Sequence, residues 1–233
     1  GEKLLALGGI ERLSAHHGGN AGGEPARRIG ARYTSKGNEM RESTIARRTL
    51  ETDIEVALNL DGAGTADVST GVGFFDHMLT AFARHGCFDL FARVKGDYEV
   101  DDHHTVEDAG IVLGAAFREA LADKKGIRRF GDAFVPMDET LVMAAVDISG
   151  RGQAFYEVDP KVERIGSFDA QLAKEFFLAF AREAGITLHV RLVCGENGHH
   201  IVEAAFKACA RALREAVEPD SRVTGVPSTK GSL

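Results

Sequence analysis

Apolar and polar residues alternate in several segments of the chain, a pattern typical of half-buried β-strands. In "TDIEVALNL" one face carries Ile54, Val56, Leu58 and Leu60. The segment "FDLFARVKGD" alternates in the same way, beginning at Phe88. Further strands are predicted at 132–136, at 139–148 and in "ITLHVRLVCG".

Apolar positions three and four residues apart predict four helices between these strands. They are "DHMLTAFARHG", a long helix from His103, "FDAQLAKEFFLAFAREAG" and "HHIVEAAFKACARALREAV". The apolar stripe of the second helix consists of Val106, Ala109, Leu113, Phe117 and Leu121. Strands interleaved with helices in this way predict an α+β fold.

The second half of the chain repeats the first. "HMLTAFARH" (77–85) aligns with "EFFLAFARE" (175–183), and each segment is followed by an alternating strand and then by an HHxxE motif. This self-similarity predicts an internal duplication of a strand-helix-strand-helix unit. We place one domain at 43–233, with pseudo-repeats at about 43–130 and 131–220 and a C-terminal tail at 221–233.

Residues 1–42 differ from the rest, because they are rich in glycine and show no sustained periodicity. We interpret them as a flexible N-terminal extension, and we assign no metal to the His16-His17 pair within it.

Charge and length exclude several classes of protein. The net charge of −7 argues against nonspecific binding to nucleic acid. No apolar run approaches the length of a membrane span, so we expect neither a membrane nor a nucleic-acid partner. Cys87, Cys194 and Cys209 lie far apart with no CxxC spacing, which is typical of reduced thiols in a cytoplasmic protein.

The two HHxxE motifs carry the candidate chemistry. On a helix, His103 and Glu107 share a face, whereas His104 points about 100° away from His103. Adjacent histidines can therefore serve two ions, or one ion and one hydrogen-bond partner. The second motif supplies His199, His200 and Glu203 in the same spacing. Alternatively, such pairs are polar residues at a helix start, where Asp101 and Asn197 are suitable N-caps.

The matched positions on the preceding helices, His77 and Glu175, raise the number of candidate ligands to eight, enough for two ions. Imidazole and carboxylate donors without thiolate favour manganese, iron or zinc. The sequence leaves open whether one chain brings both motifs together. Halves of neighbouring subunits meeting around each site would make the protein an obligate oligomer.

A second group of residues suits an anion. Positive charge and hydroxyl donors for a phosphate monoester are offered by Arg129, Arg151, Lys207, Ser228, Thr229 and Lys230. The alternative for each of these residues is a solvated side chain at the surface with no ligand. Glu51 stands alone at a strand start and is surface by pattern, and Asp138-Glu139 has no assigned role.

These motifs resemble the imidazoleglycerol-phosphate dehydratase family. The resemblance runs from about Arg47 to Leu233 and rests, in order, on "RRTLET", "GVGFFDHML", "DDHHTVEDAG", "KKGIRRFGDAFVPMDET", "GENGHHIVEAAFKACARALREA" and "GVPSTKGSL". It implies a duplicated α+β fold with helices packed between two sheets, of the ribosomal protein S5 domain 2-like type. It also implies a homo-oligomer built from trimers, with 24 subunits in the best-known members.

The resemblance further implies a reaction: a hydro-lyase of histidine biosynthesis that removes water from imidazole glycerol phosphate to give imidazole acetol phosphate, with two Mn(II) ions per active site. The implied metal ligands are His77, His103, His104, Glu107, Glu175, His199, His200 and Glu203. Glu175 occupies a position that is histidine in a number of relatives. The implied substrate contacts are Glu51, His77, His85, Arg129, Arg151, Lys207, Ser228, Thr229 and Lys230.

Elementary chemistry is consistent with this reaction. The proton to be lost is not acidic, but an imidazole ring held as an imidazolate by Mn can expel the neighbouring hydroxyl and form a diazafulvene-like intermediate. Glu51 and Glu203 are the candidate catalytic acid and base, in an order that stays open. The alternatives are a dinuclear metal hydrolase acting on a phosphorylated small molecule, and an assembly in which metal only joins subunits.

Overall fold

The computed structural model describes residues 41–233 and the backbone of residues 27 and 28. The predicted flexible extension, with its His16-His17 pair, lies almost entirely outside the described residues. Two parts of 1–42 are described: Arg27–Arg28 forms strand β1, which pairs antiparallel with β2, and β2 itself begins at Glu42.

Each half of the chain builds one sheet. The first sheet has the order β1-β2-β3-β5-β4, with β2 at Glu42–Arg48, β3 at Asp53–Asn59, β4 at Ala66–Ser69 and β5 at Asp89–Lys95. The second has the order β6-β7-β11-β8, with β6 at Phe130–Met137, β7 at Thr140–Asp147, β8 at Gln153–Glu157 and β11 at Thr187–Cys194.

The strand order confirms the predicted duplication and extends it. In both sheets a hairpin pairs antiparallel with a later strand, and that strand also takes one parallel neighbour, β4 on β5 and β8 on β11. The repeated unit is therefore longer than the predicted strand-helix-strand-helix, because each copy begins with a hairpin and adds a parallel edge strand. A short hairpin of β9 (Arg164–Ile165) and β10 (Phe168–Asp169) is an addition to the second copy.

The four helices lie between the sheets, as predicted. They are α1 at Gly73–Gly86, α2 at His103–Leu121, α3 at Leu172–Ala184 and α4 at Gly198–Val217. Helix α2 packs on β2 and β3, α4 packs on β6 and β7, and the helices pair as α1 with α4 and α2 with α3. Each helix pair thus joins the two halves. Helix α3 starts later than the predicted 168, because Phe168 and Asp169 pair with β9 instead.

The core is dominated by phenylalanine. Fully buried rings come from Phe75, Phe82, Phe88, Phe117, Phe168, Phe176, Phe177, Phe180 and Phe206. Where α2 crosses α3, Gly110 and Gly114 allow the backbones to approach closely. A Cβ atom on Gly114 would lie 2.5 Å from the carbonyl oxygen of Phe180.

The outer faces of the two sheets differ in polarity. The first sheet presents charged side chains such as Glu55, Asp67 and Lys95. The second presents exposed apolar residues, among them Phe130, Phe134, Phe155 and Val193. In the described part of the chain, no helix is both long and apolar enough to cross a membrane.

Candidate metal and substrate site

Helices α1 and α4 bring together His77, His199 and Glu203. Both Nε2 atoms approach the same oxygen, Oε2 of Glu203, at 3.1 Å from His77 and 2.9 Å from His199. Ligand atoms of the three residues lie within 4.8 Å of one another, and no other group of three potential ligands this close is found among the described residues. The arrangement suits a single metal ion.

The start of α4 explains how the motif is presented. The side chain of Asn197 accepts hydrogen bonds from the backbone N–H groups of His199 (2.9 Å) and His200 (3.4 Å), so the helix begins with both histidines in its first turn. Glu203 follows one turn later on the face of His199 and is buried. The motif is thus both a capped helix start and part of a ligand cluster.

Glu203 is held as a carboxylate. Burial alone would raise its pKa, but hydrogen bonds from Lys207, His77 and His199 outweigh burial and bring the pKa to about 2. The Lys207 Nζ atom lies 2.6 Å from Oε1 of Glu203, on the side away from the histidines. This carboxylate therefore carries a negative charge at neutral pH and can bind a cation.

His200 points elsewhere. Its ring lies at 84° to that of His199, with the centroids 6.3 Å apart. Its Nδ1 atom lies 2.9 Å from Oε2 of Glu139, in the turn between β6 and β7, and its Nε2 atom lies 3.8 Å from Asp138. Glu139 also accepts backbone N–H bonds from Glu196 (3.2 Å) and Asn197 (2.8 Å).

The motif on α2 has the same internal geometry with different surroundings. His103 Nε2 lies 3.4 Å from Glu107 Oε2, and Arg182 of α3 lies 3.7 Å from the other oxygen of Glu107. His104 turns its Nδ1 atom toward Asp97 at 3.0 Å. That hydrogen bond raises the pKa of His104.

Among the described residues, the α2 motif gains no third ligand. Glu175 occupies the position on α3 that His77 occupies on α1, but among the described residues it forms neither a hydrogen bond nor an ion pair with His103 or Glu107. Of the eight predicted ligands, one chain therefore brings three together. The remaining five lie in three other places: on α2 (His103, His104 and Glu107), on α3 (Glu175), and beside Glu139 (His200).

Glu51 lies in the loop between β2 and β3, exposed, with its Oε1 atom 3.8 Å from His104 Nε2. The loop is fastened to α2 by the buried Asp108. That carboxylate accepts a hydrogen bond from Thr52 Oγ1 at 2.5 Å and pairs with Arg47 Nη1 at 2.5 Å. Thr49 Oγ1 in turn accepts the backbone N–H groups of Glu51 and Thr52.

The predicted anion-binding residues fall into two groups. Lys207 and His85 lie near Glu203, and the pKa of His85 is lowered by its burial and by the positive charges of Lys207 and Arg211. The other group surrounds Asp147. Arg129 Nε lies 2.7 Å from that carboxylate and Arg151 lies 3.7 Å from it.

The C-terminal tail belongs to the Asp147 group. Arg129 donates from Nη1 to the carbonyl oxygen of Pro227 at 2.7 Å, just before the predicted Ser228, Thr229 and Lys230. Lys207 contacts Met137, which is the last residue of β6. Arg129 lies at the other end of β6, immediately before its first residue, Phe130. Eight residues of strand place the Cα atoms of Arg129 and Met137, one beside each group, roughly 25 Å apart.

Sequence reasoning left Asp97, Asp108 and Glu139 without roles. For Glu139 a signal was available: the internal repeat aligns "ET" at Glu51-Thr52, directly before β3, with "ET" at Glu139-Thr140, where β7 begins at Thr140. Asp97 and Asp108 carry no such signal, because their histidine and threonine partners become neighbours only in the folded chain.

Comparison with known proteins agrees with this geometry. A sequence profile described as imidazoleglycerol-phosphate dehydratase matches residues 70–213. The chain belongs to the imidazoleglycerol-phosphate dehydratase family. Proteins of this name from Caldanaerobacter subterraneus subsp. tengcongensis and Methylorubrum extorquens are 57% and 58% identical to it, over 83% of this chain and 100% of theirs.

Solved structures of imidazoleglycerol-phosphate dehydratases share the fold. The enzyme from Pyrococcus furiosus, in complex with (S)-C348, is 41% identical with a TM-score of 0.70, over 81% of this chain and 99% of that one. The Staphylococcus aureus enzyme is 38% identical with a TM-score of 0.70, over 77% and 99%. Family membership confirms the predicted enzyme class, a hydro-lyase of histidine biosynthesis, and a metal-dependent family accords with the His77, His199 and Glu203 group.

Proposed function

We propose that the protein converts imidazole glycerol phosphate to imidazole acetol phosphate and water, with two Mn(II) ions per active site. The observation that carries this proposal is the convergence of His77 and His199 on the buried carboxylate of Glu203, in a chain of this family. Two imidazoles and one carboxylate, with no thiolate, form a donor set that Mn(II) accepts. His103, His104, Glu107, Glu175 and His200 are the further proposed ligands.

When bound, the metal supplies Lewis-acid polarisation of the substrate's imidazole ring and a fixed orientation for it. The chain's own residues divide the remaining work. Glu203 is held by three partners, which favours a role as ligand over a role in moving a proton. Glu51 is exposed and has a histidine 3.8 Å away, so we assign to it the transfer of the carbon-bound proton to the departing hydroxyl, which leaves as water. The diazafulvene-like intermediate stays a prediction.

The phosphate group of the substrate needs positively charged partners. We assign its binding to Arg129, Arg151 and the tail residues Ser228, Thr229 and Lys230. Lys207 and His85 are assigned to the part of the substrate next to the metal. Since Arg129 and Met137, the strand residues beside the two groups, have Cα atoms roughly 25 Å apart, we infer that one small substrate does not contact both groups within one chain. We infer that neighbouring chains complete each site, which supports a homo-oligomer, while its assembly from trimers and its 24 subunits stay predictions from the resemblance. The exposed apolar face of the second sheet is suited to subunit contacts.

The test is turnover by protein stripped with a chelator and reloaded with Mn(II), followed through formation of the keto product from imidazole glycerol phosphate. We expect product only after reloading, and no product with Mn(II) restored would refute the proposal. Release of inorganic phosphate, measured in the same samples, would instead indicate the dinuclear hydrolase, which no observation here favours.

The variant Glu51→Gln distinguishes the proposed enzyme from a protein in which metal only joins subunits. We expect the variant to lose turnover while it retains its oligomeric size, because Glu51 touches none of the three clustered ligands. Unchanged turnover would show that Glu51 does not move the proton, whereas a Mn(II)-loaded wild type without turnover, whose oligomeric size depends on the metal, would support the non-catalytic alternative. A cytoplasmic location and the absence of nucleic-acid and membrane partners remain predictions.

A further inference from the structure

The second histidine of each HHxxE motif has a carboxylate on its Nδ1 atom. Asp97 approaches His104 Nδ1 at 3.0 and 3.2 Å, and Glu139 approaches His200 Nδ1 at 2.9 Å. The first histidines are arranged differently, because His103 and His199 turn Nε2 toward the glutamate one turn along the same helix.

We propose that Asp97 and Glu139 are positioning residues, each of which accepts a hydrogen bond from the Nδ1–H group of one histidine so that the Nε2 atom of that histidine is left free to bind a metal ion. The proposal rests on the metal requirement of the proposed function and concerns residues of this chain that had no role.

The chemistry follows from what a carboxylate can do. An ionised carboxylate only accepts hydrogen bonds, so the ring nitrogen that faces it must carry the proton. In a neutral imidazole the other nitrogen then presents its lone pair, as a metal ligand must. Asp97 and Glu139 therefore select the metal-binding tautomer and also fix the direction of each ring.

The two carboxylates come from different places in the duplicated unit. Asp97 follows β5 of the first copy, whereas Glu139 lies in the hairpin turn of the second copy, at the position matched by Glu51. Two copies of one motif have thus acquired the same contact from unrelated positions. In the first copy Glu51 lies instead 3.8 Å from Nε2 of His104, so the Nδ1 contact is made from a different position in each copy.

Glu139 also fixes the backbone before α4, and Glu139→Gln separates this effect from the effect on the histidine. Its Oε1 atom accepts the N–H groups of Glu196 and Asn197, while Oε2 faces His200. In Glu139→Gln the amide oxygen retains the two backbone bonds, so the NH₂ group faces Nδ1. Since NH₂ donates, the His200 proton must move to Nε2, where it blocks the metal.

The experiment titrates chelator-treated protein with Mn(II) alone and measures free Mn(II) by electron paramagnetic resonance. For Glu139→Gln, and independently for Asp97→Ala, we expect metal binding roughly 10- to 100-fold weaker than in the wild type. The matched control is Glu55→Gln, an exposed glutamate on β3 that undergoes the same change and should bind Mn(II) as the wild type does. Thermal unfolding of the metal-free proteins, with Glu139→Gln unchanged, checks that the fold is intact.

A double-mutant cycle distinguishes positioning from a general structural effect. In a His200→Ala background, Glu139→Gln should weaken Mn(II) binding no further, because the histidine it orients is gone. Additive losses, or wild-type affinity in both single variants, would overturn the proposal. Wild-type protein that binds Mn(II) without forming product would refute the proposed function and leave this inference standing, whereas wild-type protein that binds no Mn(II) would refute both.

Discussion

At the scale of single residues, the candidate site depends on carboxylates held by several partners. Glu203 receives bonds from two histidines and a lysine, and Asp108 from a threonine and an arginine. The HHxxE motif marks Glu203 in the sequence, whereas nothing marks Asp108, since acidic residues are common on helices. Their roles come from partners that the fold supplies, and each role leads to a measurable expectation.

The first expectation concerns the acid stability of the metal-free protein. The folded pKa of Glu203, about 2, lies below its ordinary value of 4.5. Such a group stabilises the fold fully above pH 4.5, and the stabilisation is lost as the pH falls toward 2. We expect Glu203→Gln to lower the free energy of unfolding at pH 7 by roughly 2–3 kcal/mol, and by much less at pH 3.

Urea unfolding in the presence of a chelator measures this difference at both pH values, with Glu55→Gln as the control. A deficit for Glu203→Gln that is equal at pH 7 and pH 3 would contradict the assigned pKa.

A second expectation concerns Asp108, which fastens the Glu51 loop to α2. Asp108→Asn removes the charge that pairs with Arg47 and weakens the bond from Thr52. We expect the free energy of unfolding to fall by about 1–3 kcal/mol and kcat to fall by about 10-fold or more as Glu51 shifts. Mn(II) affinity should stay at the wild-type value, because Asp108 contacts none of the predicted ligands.

Steady-state kinetics and Mn(II) titration on the same preparation test this separation, and Asp123→Asn, on an exposed residue beyond α2, is the control. Loss of metal binding together with kcat would show that Asp108 acts on the metal ligands instead.

At the scale of elements, the pairing of helices across the two halves sets what each motif can reach. Helix α1 brings His77 to α4, and the equivalent helix α3 brings Glu175 alongside α2. The α2–α3 contact is close because Gly110 and Gly114 have no side chains, so the carbonyl oxygens of Phe176 and Phe180 on α3 can approach them. The small residues therefore determine how near the second set of candidate ligands can lie.

We expect Gly114→Ala to destabilise the fold by about 1–3 kcal/mol, because its Cβ atom would lie 2.5 Å from Phe180 O, which cannot move without shifting α3. Gly73→Ala is the matched control, since a Cβ atom there meets nothing within 4 Å at the start of α1. Thermal or urea unfolding of both variants measures the contrast. Equal stability of the two would mean that α2 and α3 separate more easily than their packing indicates.

At the scale of the whole molecule, the predicted site residues form separate groups on one chain. The metal group at Glu203 and the cation group at Asp147 lie toward opposite ends of β6, and the α2 motif forms further groups of its own. If both groups bind one substrate smaller than this separation, as we propose, the two groups must come from different chains.

Complementation tests this directly. Arg129→Ala removes a residue of one group and Glu203→Gln removes a residue of the other, so each variant alone should have little activity. Chains of the two variants, dissociated and reassembled together, should recover a measurable fraction of wild-type turnover. Some sites then take Glu203 from an Arg129→Ala chain and Arg129 from a Glu203→Gln chain, so both residues are unchanged. No recovery in mixtures proven to contain both chains would mean that each chain carries its own complete site.

Much of this could be predicted from the chain alone. Alternation and helical periodicity place most elements within a few residues, since they depend on burial of one face. The repeated HHxxE motif with "AFAR" before it predicts the duplication, and its donor types predict a metal. Asn197 is a recognisable N-cap, because capping depends on residues two and three positions away.

The tertiary structure decided which candidates meet. Helix α1 lies against α4 rather than α2, so His77 joins His199 and Glu203, while Glu175 stays apart from His103 and Glu107. Glu139 reaches His200 from 61 positions away, and Asp108 reaches Thr52 from 56. Sequence periodicity records which face of an element is buried, but not which element covers that face. Contacts between distant elements, and with them the division of the site into separate groups, therefore become visible only in the folded chain.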